Sequence, residues 1–596
     1  MWITCLVISV GLLALALLAA LGVSKSGFAK SGKFSMLHWL IAGVAAAAFV
    51  MFLPIHVVTE EASFGGAVRA MLLSAFNTTQ IFGLGCEFSV IHDSMQYCPT
   101  ELNIAYQVWS VVLLVLAPAF TFGFVLSLFK NMSANLQYFF AYFKEAYIFA
   151  ALNEKSLVLA RDIKDSHPKA AIVFTDVLED GEDGPRELVG EAKKIGAICF
   201  KKNILSVDFS KHSAKKAIFF FAIADNETEN LNQSLELIET YQDRENTHIY
   251  VFSTKIESEI LLTSVEKGQV KVRRVNEVKS LVNRVLYERG EIIFNSATQG
   301  ADGLKHISAV VIGMGRHGTE MVKALSWFGQ MNSYRLEINA FDKDPLAQER
   351  FTALAPELMS PAYNGVTVEG EAQYKITIHS NADVETISFA NEIAKIRDAS
   401  YVMVALGNDD VNINTAVRLR MYFERMGIHP VIQAIVYNTH QKQALRSLKN
   451  YRGQEYDIDF IGDMESSYTE TVIIDSDLEE DALQRHLKWG KEEEFWTYEY
   501  NYRSSMASAI HMRARIKCGI PGAEKKGEDL TPEERYIIEV LEHRRWNAYM
   551  RSEGYVFSGS TDKSSRNDLA KMHHDLVDFE SLTEEVKRKD SSVGTF

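Results

Sequence analysis

The 596-residue chain has no Cys-x-x-Cys pair, and its five cysteines, Cys5, Cys86, Cys98, Cys199 and Cys518, form no metal-like cluster. No zinc or other metal set is expected from such spacing. A basic excess is also missing. The formal net charge is −15, almost all of it carried after residue 130, and a phosphate backbone requires a cationic face, so nucleic acid is not an expected partner. No nucleophile–base pair stands out along the chain, so no catalytic residue is assigned, although a site assembled in space leaves no mark in one sequence. The last absence is local: Trp2 to Val23 contains no charged residue.

That uncharged run is long enough at helical rise to cross a hydrocarbon core. A cleaved signal peptide is the competing reading, but it needs a basic segment before a shorter apolar stretch, and nothing basic precedes Cys5. Two further runs, Leu37 to Val58 and Ile104 to Phe129, complete three expected spans within residues 1–135. The loop between the first two carries Lys25, Lys30 and Lys33, whereas Thr59 to Glu101 holds Glu60, Glu61, Glu87 and Asp93 against the single cation Arg69. The positive-inside rule then places the amino terminus and residues 59–101 outside, and everything after Lys130 in the cytoplasm. A multi-pass inner-membrane location follows as the expectation, with the lipid bilayer as a partner.

Within the external segment, residues 66–77 have the composition of a short helix leading into Thr78-Thr79-Gln80-Ile81-Phe82-Gly83-Leu84-Gly85. Outer helix, short helix, Gly-x-Gly turn and inner helix is the order found in potassium channels, which residues 66–86 resemble. The resemblance implies a re-entrant pore loop in which the carbonyls around Gly83 and Gly85 replace the hydration shell of a monovalent cation. The threonine of the family's Thr-Val-Gly-Tyr-Gly filter is absent here, where the chain reads Ile81-Phe82-Gly83-Leu84-Gly85. The alternative is an external loop closed by a Cys86–Cys98 disulfide, which an oxidising compartment permits.

From Glu145 onward, short apolar strands alternate with amphipathic stretches, the pattern of a parallel sheet covered by helices. The clearest unit has a strand ending in Gly313-Met314-Gly315-Arg316-His317-Gly318, then a helix, then a strand closed by Asp342. In this arrangement the first glycine allows a tight turn, the second lets amides approach a pyrophosphate, the third permits strand–helix packing, and the acid stands where a ribose hydroxyl would donate. A glycine turn that binds nothing is the competing reading. His317 reads as a polar residue at a helix start. With Tyr401 to Asn412, residues 300–475 resemble the regulator-of-potassium-conductance family, also called TrkA-N domains. An earlier copy spans residues 145–298: Leu152-Asn153-Glu154-Lys155-Ser156 replaces the glycine loop, Asp176 follows the next strand, and Ala224 to Asn230 repeats the later turn. Lacking the glycines, this copy is expected to bind weakly or not at all. The family resemblance implies tandem sensors assembled as a homo-oligomer, a dimer or a tetramer, beneath a pore.

After about residue 475 the chain turns acidic, which marks a linker face and a boundary. Residues 490–596 are similar to the ryanodine-receptor repeat (RyR) domain. The match rests on Glu542, His543 and Trp546, then Gly554-Tyr555, Lys571, His573, Leu576, Phe579 and Leu582, and finally Lys587 and Asp590. An aromatic plane at Trp546 beside His543 and Arg545 has the makings of a base-and-phosphate pocket. Burial of Trp546 as a core anchor, with the arginines paired to nearby acids, is the alternative.

The expected fold is thus a three-span α-helical membrane domain, two Rossmann-like α/β domains and a small, mainly α RyR-type domain. The expected function is a channel or membrane effector, potassium-channel-like or serving defence and stress, gated by a nucleotide or dinucleotide at Gly313, Gly315, Gly318 and Asp342. An NAD(H)-like dinucleotide and a nucleotide second messenger both fit that site, and no cofactor is required for catalysis. A membrane-tethered nucleotide-dependent enzyme or a scaffold is the alternative.

Overall fold

A computed structural model describes residues 1–25, 36–83, 85–86, 88–130, 134–177, 186–365, 374–445, 448–474 and 476–595. Lys30 and Lys33 of the first loop, Leu84 of the Gly-x-Gly turn, and Glu87 lie outside these. The chain divides into two units, Met1–Phe139 and Phe140–Phe596.

In the first unit the helices Trp2–Lys25, Met36–Thr59 and Thr100–Lys130 each contain a stretch long and apolar enough to cross a membrane. Between the second and third, the helix expected at 66–77 runs instead from Phe64 to Phe82. Ser63 starts it by accepting from Gly66 N–H, and no helix breaker intervenes before Gly83, whose amide donates to Gln80 O. The residues Thr78 to Phe82, which a re-entrant loop would begin to unwind, are therefore helical. Gly85 N–H also donates to Gln80 O, at 2.9 Å. The Cys86–Cys98 bridge is not formed among the described residues.

Polar side chains inside this unit satisfy one another, as a bilayer core requires. Ser9 donates to Ala47 O at 2.7 Å and accepts from Trp109 Nε1 at 2.8 Å, tying the first and third helices to the second. Tyr106 donates to Met51 O, and the buried Asn77 and His56 pair at 2.9 Å. Close approach of the first two helices depends on small residues. A Cβ on Gly43 would lie 2.1 Å from Ala16 Cβ.

The second unit holds two parallel sheets. Strands β1 (Ala146–Phe149), β2 (Ala171–Phe174), β3 (Ile198–Cys199), β4 (Ile218–Ala222), β5 (Thr247–Phe252) and β6 (Lys271–Val275) form one, in the order 3-2-1-4-5-6. Strands β8 (Lys305–Ile312), β9 (Tyr334–Phe341), β10 (Tyr374–His379), β11 (Tyr401–Val404), β12 (Val431–Ile435) and β13 (Ile458–Ile461) form the other in the same relative order, extended by β7 (Thr298–Gln299) antiparallel to β8. This is the doubly wound order of a Rossmann-type sheet, with its switch point between the first and fourth strands. Strands covered on both faces read as continuous apolar runs, and β1, β2 and β11 are buried at every position.

The duplication extends to hydrogen bonds. Asn226 and Asn408 cap the helices that follow β4 and β11. Four residues on, the buried Asn230 accepts from Ala224 N–H and donates to Phe252 O, and the buried Asn412 accepts from Leu406 N–H and donates to Ile435 O. Each asparagine thus stitches the end of a fourth strand to the end of a fifth. Likewise Glu227 accepts from Thr254 N–H, and Asp409 from Tyr437 and Asn438 N–H. After the second sheet come the helices Glu499–Lys517, Pro532–Ser552 and Glu584–Gly594, with a two-stranded parallel pair, Val556–Phe557 and Met572–His573.

Gly43→Leu is expected to destabilise the first unit by about 1–3 kcal/mol through overpacking, read as a lowered melting temperature in detergent. Gly11→Leu, where a Cβ meets nothing within 4 Å, should leave it unchanged. In the second unit Asn412→Ala leaves a buried amide and carbonyl unpaired and should cost about 1–3 kcal/mol in urea unfolding.

Candidate functional site

The two lobes built on these sheets interlock. The helix Glu277–Arg289, which follows β6 of the first lobe, packs on the helix Arg316–Phe328 of the second. In return, the short helices Met464–Ser467 and Glu470–Ile473, which follow β13, pack on the helix Glu154–Ser166 of the first. The exchange is held by Tyr468 donating to Glu277, Arg284 donating to Ser466 O, and Glu470 N–H donating to Asp162 Oδ2 at 2.7 Å.

Between the lobes lies a cavity of about 400 Å3, lined on one side by Lys155, Thr254 and Glu277 and on the other by Arg316, His317, Tyr437 and Tyr468. Pockets of this size suit small ligands, and they form preferentially where domains meet. The glycine loop borders it through Arg316 and His317. Gly313 sits at φ 93°, and a Cβ there would come within 2.6 Å of Ala405 O; this position tolerates only glycine. A Cβ on Gly318 would stand 1.7 Å from Gly313 O. Gly315 caps the helix with no side-chain hydrogen bond of its own, so the cap residue leaves the first-turn amides without the side-chain acceptor that Asn153 supplies in the first lobe.

The first lobe treats the corresponding loop differently. Asn153 accepts from Ser156 N–H, and Ser156 Oγ accepts from Asn153 N–H, a complete capping box. Amides that would meet a phosphate are already engaged. Counting two residues from each cap places Lys155 at the position of His317.

Asp342 lies at the end of β9, as expected, but its carboxylate turns onto its own loop: Oδ2 accepts from Met314 N–H at 2.5 Å and Oδ1 from Asp344 N–H at 2.7 Å. It stiffens the glycine turn. A carboxylate retains further lone pairs, so a ribose hydroxyl still has an acceptor. His317 is 3.2 Å from the Tyr437 hydroxyl, and burial lowers its pKa. Its role is wider than a helix-start residue, because it forms part of the cavity wall.

The four residues Gly313, Gly315, Gly318 and Asp342 are thus brought together. His543, Arg545 and Trp546 do not line the interlobe cavity. His543 is buried and contacts Val577 O at 2.8 Å and Asp590 at 3.3 Å. Arg545, also buried, donates to Glu542, which binds Arg515 as well. Trp546 packs against the main core with its ring 4.9 Å from that of His573. Metal-ligand spacing in sequence did not bring out His573, His574 and Asp575, whose ligand atoms lie within 4.8 Å of one another. The two imidazoles stack in parallel, at 4.7 Å and 8°, and His573 Nδ1 already accepts from Asp575 N–H.

No protein-family model matches this chain, and no curated protein matches it. The structure itself defines its class: an α/β protein with tandem doubly wound sheets, preceded by three helices able to cross a membrane.

Burial first, then Arg566 and His574, push the His573 pKa down to about 3. The folded state therefore keeps a neutral imidazole while the unfolded chain takes up a proton below pH 6.5. Stability is fully present above that pH and should fall on acidification towards pH 3, by up to about 1.4 kcal/mol per pH unit from this group. Urea unfolding at pH 7 and pH 5 reads the loss, and His573→Gln should reduce it.

Proposed function

We propose that the chain is a nucleotide-sensing membrane effector of the ion-channel kind. In this reading the three apolar helices span a cell inner membrane with the amino terminus outside. The two lobes are cytoplasmic, and a nucleotide or dinucleotide enters the interlobe cavity with its phosphates at the Gly315 end of the helix Arg316–Phe328. The observation that carries the reading is that the glycine-loop cavity is walled by both lobes, so one bound ligand touches both halves of an interlocked pair. A ligand that prefers one packing of the lobes shifts the pair towards it. Swinging a 1:99 equilibrium to 99:1 takes about 5.5 kcal/mol of differential affinity. Gly83 and Gly85 are the proposed constriction for a monovalent cation, in a homo-oligomer of two or four chains. A defence or stress role, in which a nucleotide messenger depolarises the membrane, is the concrete form of the proposal.

The decisive variant is Gly315→Asp. The backbone φ at Gly315 is −68°, and a Cβ there meets nothing within 4 Å, so the fold accepts a side chain. A carboxylate at this cap would itself occupy the amides and repel an anion. Liposomes carrying wild-type protein should show ion flux on addition of mono-, di- or cyclic nucleotides, and Gly315→Asp should abolish it at unchanged melting temperature. Tight nucleotide binding with no flux under any condition would overturn the channel reading in favour of a tethered enzyme or scaffold.

A further inference from the structure

A second cavity, of about 260 Å3, lies where three parts of the second unit meet. One wall is the helix Glu277–Arg289 of the first lobe, another is formed by residues 471–473 and 476–478 after the second sheet, and the third is the helix Glu499–Lys517 of the C-terminal module. Its lining is strongly cationic. Arg273, Arg274, Lys279, Arg284, Arg503 and Arg513 face it, against three carboxylates among the described residues, Glu288, Asp477 and Glu499.

Four of these cations already have strong partners. Arg273 pairs with Glu479, Arg274 with Glu499, Lys279 with Glu553 at 2.7 Å, and Arg503 with Glu259 and with Glu553 at 3.2 Å. Arg284 and Arg513 differ. Arg284 donates to Ser466 O and Oγ, and its nearest carboxylate, Glu288, stands 3.9 Å away, beyond hydrogen-bond range. Arg513 rests on the ring of Tyr287 at 4.4 Å and has no carboxylate partner among the described residues. Two cations with no hydrogen-bonded carboxylate among the described residues, one from the first lobe and one from the C-terminal module, thus face one small cavity from different walls. Asn276, Ser280 and Asn283 add neutral hydrogen-bonding groups along the first wall.

We propose that this cavity is a second ligand site, which takes a small phosphate-bearing anion between Arg284 and Arg513. Planar guanidinium forks match phosphate oxygens with paired hydrogen bonds, and the volume admits a diphosphate. Asp477 on the opposing wall limits the charge the site accepts and offers an acceptor to a ligand hydroxyl. Bound there, the anion cross-links the first lobe to the C-terminal module, so the module senses a signal distinct from that at the glycine loop. The proposal does not depend on the glycine-loop reading.

Isothermal titration of full-length protein in detergent with inorganic pyrophosphate, and in parallel with adenosine diphosphate, tests it. Saturable pyrophosphate binding is expected with a component that Arg513→Gln weakens tenfold or more, Asp477→Asn tightens several-fold, and Gly315→Asp leaves in place. Arg513 is exposed, so its loss should not unfold the protein, and the gain in Asp477→Asn reports the lifted repulsion of the anion, which misfolding would not produce. Binding should weaken as salt rises. Equal affinity for the two probes means that phosphate alone is recognised; tighter adenosine diphosphate binding, still lost in Arg513→Gln, means that a nucleoside is read as well. Absence of binding at millimolar pyrophosphate, indifference to both Arg513→Gln and Asp477→Asn, or loss of the Arg513-dependent component in Gly315→Asp would each overturn the proposal.

Discussion

The arrangement of the second unit depends on one carboxylate, Glu553. It ends the helix Pro532–Ser552 of the C-terminal module, yet its Oε1 accepts from Lys279 of the first lobe at 2.7 Å and Lys323 of the second at 3.2 Å, while Oε2 accepts from Arg503 at 3.2 Å. Glu320, Glu259, Glu499 and Arg274 extend the network. Burial alone would push the Glu553 carboxyl up; Lys279, Lys323 and Arg503 overcome it and hold it well below the usual carboxylate range. A buried charge network of this kind adds little net stability over an apolar core, but removing one member strands the others at a cost of about 3–5 kcal/mol. Its value lies in specificity: it is satisfied only when both lobes and the module are docked together. A movement of either lobe must therefore break or carry this junction.

The same junction explains why the lobes alone do not describe the protein. Each lobe lends the other the element after its sixth strand, so neither completes its surface without its partner. The module closes the remaining gap with the helix Glu499–Lys517. Arg274, at the end of the first sheet, reaches Glu499 of that helix at 2.8 Å, and Arg551 of the module reaches Glu357 of the second lobe at 3.3 Å. The glycine loop and the cationic cavity thus belong to one continuous unit.

Much of this was legible in the sequence, and the failures have physical causes. Uncharged runs located the apolar helices, because helical rise and membrane thickness leave little freedom. Strand–glycine loop–helix–strand–acid located the second lobe, and the repeat of the later turn at Ala224 to Asn230 located the first; Asn230 and Asn412 of these turns serve matching backbone groups in the two sheets. The helix Phe64–Phe82 overran its expected end since composition does not say where a helix stops without a breaker. Lys155, Glu277, Tyr437 and Tyr468 were missed as cavity residues because they come from distant segments that meet only through the exchange. Pairing of Arg545 with a nearby acid was one of the two readings left open, and which acid it meets, Glu542, like the partners Asp590 and Val577 O of His543, is set by packing.

The two copies differ most at one helix end, and that difference has a direction. The first lobe opens its helix with Asn153, Glu154 and Ser156, which puts a cap and an acid where the helix dipole favours negative charge. The second opens with Gly315, Arg316 and His317, with no acid in the first turn and a cation at its first position. By local rules this is the poorer choice, costing about 0.3–1 kcal/mol for a misplaced charge. Glu227 of the first lobe stands 3.6 Å from Arg316 and offsets part of it. Sequences tend to break such rules where function outweighs stability. An anionic ligand would resolve the conflict, meeting the uncapped amides and Arg316 together, and it would compete with Glu227 for that arginine. Ligand binding at the glycine loop would then loosen one contact between the lobes as it forms another, which is the differential interaction that a gated pair requires.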